Sequence, residues 1–315
     1  MNSLIIPVYK NAENIPSLLA ALRILDTRIA DLEVVFVVDG SPDDSVSLLN
    51  KLLPVAELRS QLLLLSRNFG SYPAIRAGLA AARGNLFAVM AADLQEPPEL
   101  AITLFDALET EALDVVIATR ESRADPLLSR LAANLFWKFY KKFVVPEIPI
   151  GGVDVFGCNR IFRDHLLQLE ESHSSLVALL FWMGFRRKVV PYTRLARQHG
   201  KSAWTFKKKY IYFKDSIFSF TDMPIKVLAR VGTLGILFSA VMALIVLLGK
   251  LTGWVSVPGY SATVLTIIFF GALNLLGLGI IGTYAWRTYE NTKHRPSALV
   301  MSRVEFQPSK QNRQV

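Results

Sequence analysis

The chain has 315 residues, 52% of them hydrophobic, and a formal net charge of +9 at pH 7. The length allows about two domains, and the mean hydropathy of +0.35 is higher than a soluble enzyme needs, so membrane-spanning segments are expected. The single cysteine, Cys158, excludes an internal disulfide framework and a cysteine-rich metal site, and its apolar surroundings predict an inert thiol. The basic charge favours an anionic partner such as nucleic acid, acidic lipid or a phosphate-bearing substrate.

The first two-thirds of the chain alternate short apolar runs with helical patterns. The N-terminal stretch turns polar too early for a signal peptide, so the first strand is expected to begin directly. The apolar runs cover 4–8, 34–38, 62–65, 86–90 and 115–118, and helical patterns such as 15–24, 72–82 and 100–108 lie between them. Nearly continuous hydrophobicity predicts strands that are covered on both faces. The alternation predicts an α/β domain with a mostly parallel, doubly wound sheet.

Polar residues follow each predicted strand, in the segments PVYKNAEN, VVDGSPDDS, SRNFGSYPA, DLQ and ATRESR. Ligands of such sheets bind beyond the carboxyl ends of the strands, so these segments are expected to form the site. Asp39 could accept hydrogen bonds from a base or a ribose. Asp93 and Gln95 follow the fourth predicted strand.

The last third contains two long apolar runs, 231–248 and 262–286, of which the second has Asn274 as its only strongly polar residue. Each is long enough for a bilayer core, which needs ~20 residues, and neither has a polar face. The alternative is a buried helical hairpin in a large soluble core. The connector 249–261 is short, so the two helices are expected to form a hairpin whose flanks lie on one side of the membrane.

Lysine and arginine residues indicate which side that is. They are concentrated in 186–230 and in the tail after Trp286, whereas the connector has only Lys250. The positive-inside rule therefore predicts that the α/β domain and both termini are cytoplasmic. Nucleic acid is a poor explanation for the charge, because the basic residues are concentrated beside the spans.

Two further stretches, about 129–143 and 205–220, mix aromatic residues with lysines. This mixture is typical of amphipathic helices that lie at the level of the lipid headgroups. Ordinary amphipathic helices packed on the domain core are the alternative. The nearby spans favour the interfacial interpretation.

Taken together, the motifs resemble a known family. The chain is similar to family-two glycosyltransferases of the GT-A fold, in the polyprenyl-phosphate branch, with bactoprenol glucosyltransferases as near relatives and dolichol-phosphate-mannose synthases as more distant ones. The pieces that carry the resemblance are PVYKNAENI, VVDGSPDDS, LSRNFG, AADLQEPPEL, ATRESR, the R-x-x-G-x-S-x-W run at 197–204 and the stretch 257–296. The resemblance covers nearly the whole chain.

The resemblance implies a Rossmann-like GT-A domain followed by a transmembrane hairpin. We expect the cytoplasmic GT-A domain over 1–222, with both interfacial helices, and the hairpin over 223–286, with helices at about 229–249 and 262–286. The remaining residues, 287–315, are expected to form a basic cytoplasmic tail.

The implied reaction is the inverting transfer of a hexose from a nucleotide sugar to undecaprenyl or another polyprenyl phosphate. It would take place at the cytoplasmic face of the inner membrane and supply a lipid-linked sugar for cell-surface glycans. The resemblance favours UDP-glucose as the donor, while mannose, galactose, a deoxysugar or aminoarabinose stay open as the sugar. It also implies a homo-oligomer, with a tetramer as one form.

The resemblance assigns the catalytic roles to Asp93 and Asp154. Asp93 and Gln95 would hold Mg²⁺ or Mn²⁺ on the diphosphate. Asp154 matches the position of a catalytic base. A phosphate monoester has a second pKa of about 6 and is already ionised, so Asp154 could equally orient the acceptor or the metal.

Two binding sets complete the expected site. The nucleotide-sugar set consists of Pro7, Tyr9, Glu13, Asp39, Arg67, Asn68, Gly70, Asp93 and Gln95. The set for the lipid phosphate consists of Arg120, Arg123, Arg130, Arg197, Lys201, Ser202 and Trp204. Arginine and lysine are the side chains that bind phosphate most strongly.

The sequence departs from the family pattern at Ala91, where members often carry the first Asp of D-x-D, and at Ala203, where a Lys is usual. The missing carboxylate should weaken metal binding. These departures leave a non-catalytic scaffold that binds nucleotide sugar or lipid phosphate as an alternative. A processive polysaccharide synthase is disfavoured, because two spans provide no obvious polymer channel.

Overall fold

The computed structural model describes residues 1–120, 138, 140–142, 145–149, 153, 155–171, 174–196, 206–252 and 259–308. The chain divides into two compact units. The sheet unit comprises Met1–Lys209 and Arg295–Val315, and the helical unit comprises Tyr210–His294.

The sheet unit is built on one mixed sheet. Its strands are β1 (Asn2–Val8), β2 (Leu32–Val38), β3 (Ser60–Leu65), β4 (Leu86–Val89), β5 (Val115–Arg120), β6 (Val155–Asn159), β7 (Arg187–Tyr192) and β8 (Val300–Phe306). Among the described residues, the eight strands follow the order β7-β5-β6-β4-β1-β2-β3-β8. The helices of this unit are α1 (Ile15–Arg28), α2 (Ser45–Leu52), α3 (Ser71–Ala81), α4 (Glu99–Thr110), α5 (Arg160–Gln168) and α6 (Leu176–Trp182), with short 3-10 helices at Ala12–Asn14 and Leu53–Val55.

The centre of the sheet is parallel, as the sequence predicts for an α/β fold. β1 pairs in parallel with both β2 and β4, and β2 pairs in parallel with β3. Every residue of β2 is buried, because helices cover both faces of a parallel sheet. The expected fold class is confirmed. The carboxyl ends of β1 to β4 therefore meet at one edge, called here the carboxyl edge.

β6 is antiparallel to both β4 and β5, and β7 is parallel to β5. It follows that β5 and β7 also end at the carboxyl edge, and that Val155, the first residue of β6, lies there too.

The opposite edge contains a network around the buried carboxylate of Asp114. The guanidinium of Arg186 donates to both of its oxygens, at 2.9 and 3.0 Å, and Nδ2 of Asn159 donates to Oδ1 at 2.8 Å. The hydrogen bonds from Arg186 lower the pKa of Asp114, and they outweigh the opposing effect of burial. This network joins the starts of β5 and β7 to the end of β6.

The sequence pattern did not predict β8. This strand pairs antiparallel with β3, and Val304 lies opposite Leu62. Its residues are exposed or half-buried, so they lack the continuous hydrophobicity that marks the central strands. An ion pair between Arg83 and Glu305 adds a side-chain contact between β8 and the loop that follows α3.

Two long helices, α8 (Met223–Leu251) and α9 (Tyr260–Thr292), follow the amphipathic helix α7 (Phe206–Phe220). Both extend beyond the expected 229–249 and 262–286. Met223–Met242 and Phe269–Thr292 are long and apolar enough to span a membrane, and only 0% and 6% of their most apolar stretches are buried. A core helix of a soluble protein would be mostly buried, so these helices indicate a membrane-associated protein.

Within the helical unit, the second half of α7 packs against α9. Arg287 donates to Asp215 Oδ1 at 2.6 Å and to Ser219 Oγ at 2.7 Å. The rings of Phe218 and Tyr284 lie 5.4 Å apart. The interfacial position of 205–220 stays a prediction, and most of 129–143 lies outside the described residues.

Candidate active site

Four loops leave the carboxyl edge after β1, β2, β3 and β4, and each contains a residue with positive φ. These residues are Lys10 (57°), Gly40 (55°), Gly70 (104°) and Leu94 (53°). For the two with side chains, Lys10 and Leu94, this backbone conformation costs about 1–2 kcal/mol. Asp31, Glu57 and Ala112 at the opposite edge also have positive φ, so this conformation does not by itself mark the site.

The carboxylate of Asp39 organises the loop after β3. Asp39 is 3% exposed. Its Oδ1 accepts from the backbone N–H of Phe69 at 2.7 Å, and its Oδ2 accepts from the N–H of Gly70 at 2.8 Å and from Asn68 Nδ2 at 3.0 Å. The structure thus brings together Asp39, Asn68 and Gly70 of the expected nucleotide set. A direct contact of Asp39 with the nucleoside stays a prediction.

Gly40 allows the loops after β2 and β3 to approach each other closely. A Cβ at this position would lie 2.3 Å from the carbonyl carbon of Arg67 and 2.4 Å from the backbone nitrogen of Asn68. Only a residue without a side chain fits there, since backbone atoms cannot move aside cheaply. The guanidinium of Arg67 lies 4.1 Å from the centre of the Phe69 ring, which places Arg67 on the same loop surface.

The loops after β1 and β2 are joined through Asp43. Its carboxylate accepts from the N–H of Ala12 at 3.0 Å and from Ser41 Oγ at 2.6 Å. Ser41 Oγ accepts in turn from the N–H of Lys10 at 2.7 Å. Burial alone would raise the pKa of Asp43, but the hydrogen bonds from Ser41, Ser45 and Ala12 lower it overall.

The sequence analysis did not select Asp43 as a site residue. The spacing S-x-D in the loop after β2 was the available signal, because such side chains bind nearby backbone. Three residues of the expected nucleotide-sugar set lie in or near the loop after β1. Pro7 is in β1, Tyr9 is half-buried just after it, and Glu13 is exposed on the following 3-10 helix.

The DLQ segment follows β4, and its two polar side chains have different surroundings. Asp93 is half-buried, whereas Gln95 is 8% exposed. The backbone N–H of Leu195 donates to the backbone oxygen of Gln95 at 2.8 Å, and the guanidinium of Arg194 donates to Gln95 Oε1. Gln95 therefore contacts the segment after β7, and the shared cleft expected for Asp93 and Gln95 stays a prediction.

Arg194 is a second residue that the sequence analysis did not select. It follows β7, which ends at the carboxyl edge, and it precedes Arg197 by three residues. The signal that could have revealed it was the repeated arginine in YTRLAR, at the end of β7. The metal-ligand role of Gln95 stays a prediction.

The described residues contain no group of three His, Cys, Asp or Glu side chains arranged to hold a metal ion. Asp93 supplies one carboxylate at the carboxyl edge, and Ala91 replaces the second that a D-x-D motif would provide. Mg²⁺ commonly binds through one or two carboxylates together with substrate phosphates and water. The described residues therefore fit a cation that has Asp93 as a protein ligand and takes most of its other ligands from the nucleotide diphosphate.

Several expected residues lie outside the described part of the chain, namely Asp154, Arg123, Arg130, Arg197, Lys201, Ser202 and Trp204. Arg120 is described, and it is the half-buried last residue of β5. Val155 at the carboxyl edge immediately follows Asp154 in the chain.

Comparisons with known proteins match the chain nearly end to end. Residues 3–169 match the family model described as glycosyl transferase family 2. An uncharacterized glycosyltransferase of Synechocystis sp. is 34% identical over 302 residues, which cover 95% of this chain and 94% of that one. The putative glycosyltransferase CsbB of Bacillus subtilis is 33% identical over 95% of this chain and 90% of its own. The bactoprenol glucosyl transferase of Shigella phage SfV is 31% identical over 95% of this chain and 97% of its own.

Proposed function

The chain belongs to glycosyl transferase family 2, and from this premise we propose that it transfers glucose from UDP-glucose to undecaprenyl phosphate or a related polyprenyl phosphate. The observation that carries the proposal is the match to bactoprenol glucosyl transferases over 95% of the chain. This match extends beyond the catalytic part to the two apolar helices. A nucleotide-sugar enzyme with membrane helices is suited to an acceptor that stays in the bilayer.

The loops after β1, β2 and β3 form the proposed nucleotide site. Asp39 and Gly40 hold the segment of Arg67, Asn68 and Gly70 against the end of β2. Because these contacts are formed by backbone and buried groups, the site needs little rearrangement on binding. Pro7, Tyr9 and Glu13 complete the set from the first loop.

Asp93 is the proposed ligand of a divalent cation, Mg²⁺ or Mn²⁺. When bound, such a cation supplies positive charge where the diphosphate leaves. Asp93 itself is half-buried at the end of β4. A carboxylate in this position is partly exposed and can contact the donor diphosphate.

The proposed reaction is a direct displacement. A phosphate oxygen of the lipid attacks the anomeric carbon, the bond from that carbon to the diphosphate oxygen breaks, and the configuration inverts. The lipid phosphate is largely ionised at pH 7, because its second pKa is about 6. Asp154 is therefore proposed to orient the acceptor, or to accept its remaining proton. Arg120 and the basic residues expected around 123–130 and 197–204 would bind the lipid phosphate.

The helices α8 and α9 keep the enzyme on the membrane that contains its acceptor. Confining both reactants to one site supplies much of the rate advantage of such an enzyme. The distribution of lysine and arginine supports cytoplasmic termini and a cytoplasmic sheet unit at the inner membrane. We also propose that the protein forms a homo-oligomer.

The test is a transfer assay on membranes that contain the full-length protein. Radiolabelled UDP-glucose and undecaprenyl phosphate are supplied with Mg²⁺, with Mn²⁺ or with EDTA, and the lipid products are separated. We expect one labelled glycolipid, which EDTA abolishes and which falls by about a hundredfold in Asp93→Ala, since one positioned group contributes about 10²–10³ to such rates. The same assay with radiolabelled UDP-mannose or UDP-galactose tests which sugar the enzyme transfers.

The matched control is Asp106→Ala, which removes an exposed carboxylate from α4 and should keep wild-type activity. Tight donor binding without turnover on any polyprenyl phosphate would instead indicate a binding scaffold. A long labelled polymer would indicate a processive synthase.

A further inference from the structure

β8 pairs with the strand that leads into the proposed nucleotide site. β3 and β8 form an antiparallel ladder, in which Leu65 at the end of β3 lies opposite Val300. The pairing continues beyond β3, because the backbone N–H of Ser66 donates to the carbonyl oxygen of Leu299 at 3.0 Å. Ser66 is the first residue of the loop after β3. The ladder therefore reaches from the sheet into the start of that loop.

β8 covers the outer edge of β3. The side chains of β8 are exposed or half-buried, but its backbone lies against β3 along the whole ladder. Five of the six residues of β3 are buried, which is typical of a strand inside a sheet. Without β8, β3 would be an edge strand with a row of unpaired N–H and C=O groups. The position of β3 and of the loop that follows it therefore depends on β8.

The other end of β8 is anchored at the opposite edge of the sheet. Glu305 forms ion pairs with Arg83 and, at 3.2 Å, with Arg303. The N–H of Arg83 also donates to the buried carboxylate of Glu33 at 2.9 Å, and Phe306 packs against the core. Ion pairs between exposed side chains contribute little energy, so the ladder and Phe306 supply most of the attachment.

The loop 66–70 is held from two sides. On the inner side, Asp39 accepts hydrogen bonds from two of its backbone N–H groups, at 2.7 and 2.8 Å. On the outer side, Leu299 accepts from the N–H of its first residue. Arg67 and Asn68 lie between these anchors in the chain and belong to the proposed nucleotide site. Because the loop is fixed at both ends, these two residues lose less conformational freedom when a ligand binds.

We propose that β8 is a positioning strand for the donor. By pairing with β3 and holding the start of the loop 66–70, it keeps the nucleotide site in the form that binds a nucleoside diphosphate sugar. This inference rests on the proposed function for the identity of the donor. β8 lies outside residues 3–169, which match the family model. The end of the chain, beyond the membrane helices, thus supplies a support for the donor site that the matched catalytic region lacks.

The first experiment measures hydrogen exchange by mass spectrometry on the full-length protein in lipid nanodiscs, without ligand. The double variant Arg303→Pro/Val304→Pro weakens the ladder, because successive N–H groups of a strand point to opposite sides and one of these two faces β3. We expect the amides of Ser66, Phe69 and Gly70 to exchange several-fold faster in this variant. The matched control, Arg303→Thr/Val304→Thr, changes the same side chains but retains both N–H groups, and it should exchange like wild type.

The second experiment measures donor binding by calorimetry, with UDP-glucose and Mg²⁺. If the loop keeps its binding form in about one molecule in ten of the proline variant, the apparent Kd rises roughly tenfold. The KM for undecaprenyl phosphate should stay within about twofold of wild type, which separates this role from a general loss of folded enzyme. Coupling between two sites is reciprocal. Saturating UDP-glucose should therefore slow the exchange of amides 300–306 in the wild-type protein.

Faster exchange at Ser66 alone, with Phe69 and Gly70 unchanged, would show that Asp39 holds the loop without β8, and it overturns the proposal. Wild-type donor affinity in the proline variant overturns it as well. Should the proline variant fail to fold, the wild-type exchange decides, because slowing confined to the loop 66–70 counts against β8. If the wild-type protein binds no nucleotide sugar, the proposed function fails, and the first experiment still decides whether β8 holds the loop.

Discussion

The backbone N–H of Gly70 donates a hydrogen bond to Oδ2 of Asp39 at 2.8 Å, so the residue after β2 determines where the loop after β3 lies. The same carboxylate binds the N–H of Phe69 and the side chain of Asn68. In a glycosyltransferase of this family, these loops are where we place the donor nucleotide. A single buried carboxylate thus holds the loops after β2 and β3 together.

Replacing Asp39 by alanine should disrupt the nucleotide site and destabilise the sheet unit. Phe69, Gly70 and Asn68 would lose a charged acceptor, and hydrogen bonds to charged groups contribute about 1.5–3 kcal/mol each. We expect Tm to fall by several degrees and UDP-glucose binding, measured by calorimetry on the purified protein, to weaken by roughly tenfold or more. Asp44→Ala, which removes an exposed neighbour in the same loop, should change neither. Wild-type affinity in Asp39→Ala would show that the loop does not depend on this carboxylate.

Gly40→Ala should be more damaging than Gly70→Ala. Both residues have positive φ, so alanine is strained at either position. At Gly40 the new Cβ would also lie 2.3 Å from the Arg67 carbonyl carbon, whereas at Gly70 the nearest atom is Pro73 Cδ at 3.9 Å. The difference between the two variants in Tm and in donor affinity therefore measures the close approach of the loops. Equal effects of the two substitutions would mean that backbone strain alone explains them.

The parallel centre of the sheet could be predicted from sequence because its strands are continuously apolar. β2 is the clearest case, since it is buried at every residue and is followed by Asp39. β8 was missed because an exposed edge strand carries no such pattern. Arg194 was missed because its importance comes from a contact with Gln95, 99 residues away in the chain. The polar residues at strand ends can thus be predicted from the local sequence. The contacts between these residues cannot, because they depend on how the fold brings distant segments together.

Restoring the D-x-D motif by Ala91→Asp should strengthen metal binding. Ala91 is half-buried, so a carboxylate there can be accommodated close to Asp93. Affinity for hard cations rises with the number of charged ligands, and we expect roughly tenfold tighter binding of Mn²⁺ in the presence of UDP-glucose. Ala91→Asn, which has nearly the same size without the charge, should show a much smaller gain. Electron paramagnetic resonance of free Mn²⁺ measures both, and an unchanged affinity in Ala91→Asp would place this residue outside the metal site.

Stability in acid should depend on Asp114. Its pKa in the folded protein is lowered, chiefly by the hydrogen bonds from Arg186, below the unfolded value of about 3.9. The resulting stabilisation is fully present above the unfolded pKa and is lost as the pH falls through the folded pKa. Asp114→Asn should therefore lower Tm at pH 7 and at pH 5, and the difference from wild type should shrink below about pH 4. Asp106→Asn is the control at an exposed site, and a difference that persists undiminished at pH 3 would contradict the assignment.

The ion pair between Arg287 and Asp215 should hold α7 on α9 within the helical unit. The Arg287 side chain is 12% exposed, and it binds Ser219 and lies 5.4 Å from the centre of the Phe218 ring as well. Arg287→Ala leaves Asp215 without this partner and should lower the free energy of unfolding by about 1.5–3 kcal/mol. Arg287→Lys should recover only part of the loss, because lysine cannot reproduce the forked contacts of a guanidinium. Arg295→Ala, at an exposed position just beyond α9, is the matched control. Thermal unfolding in detergent compares the variants, and adding Asp215→Ala to Arg287→Ala should cost less than the sum of the two single effects if the residues stabilise the unit as a pair.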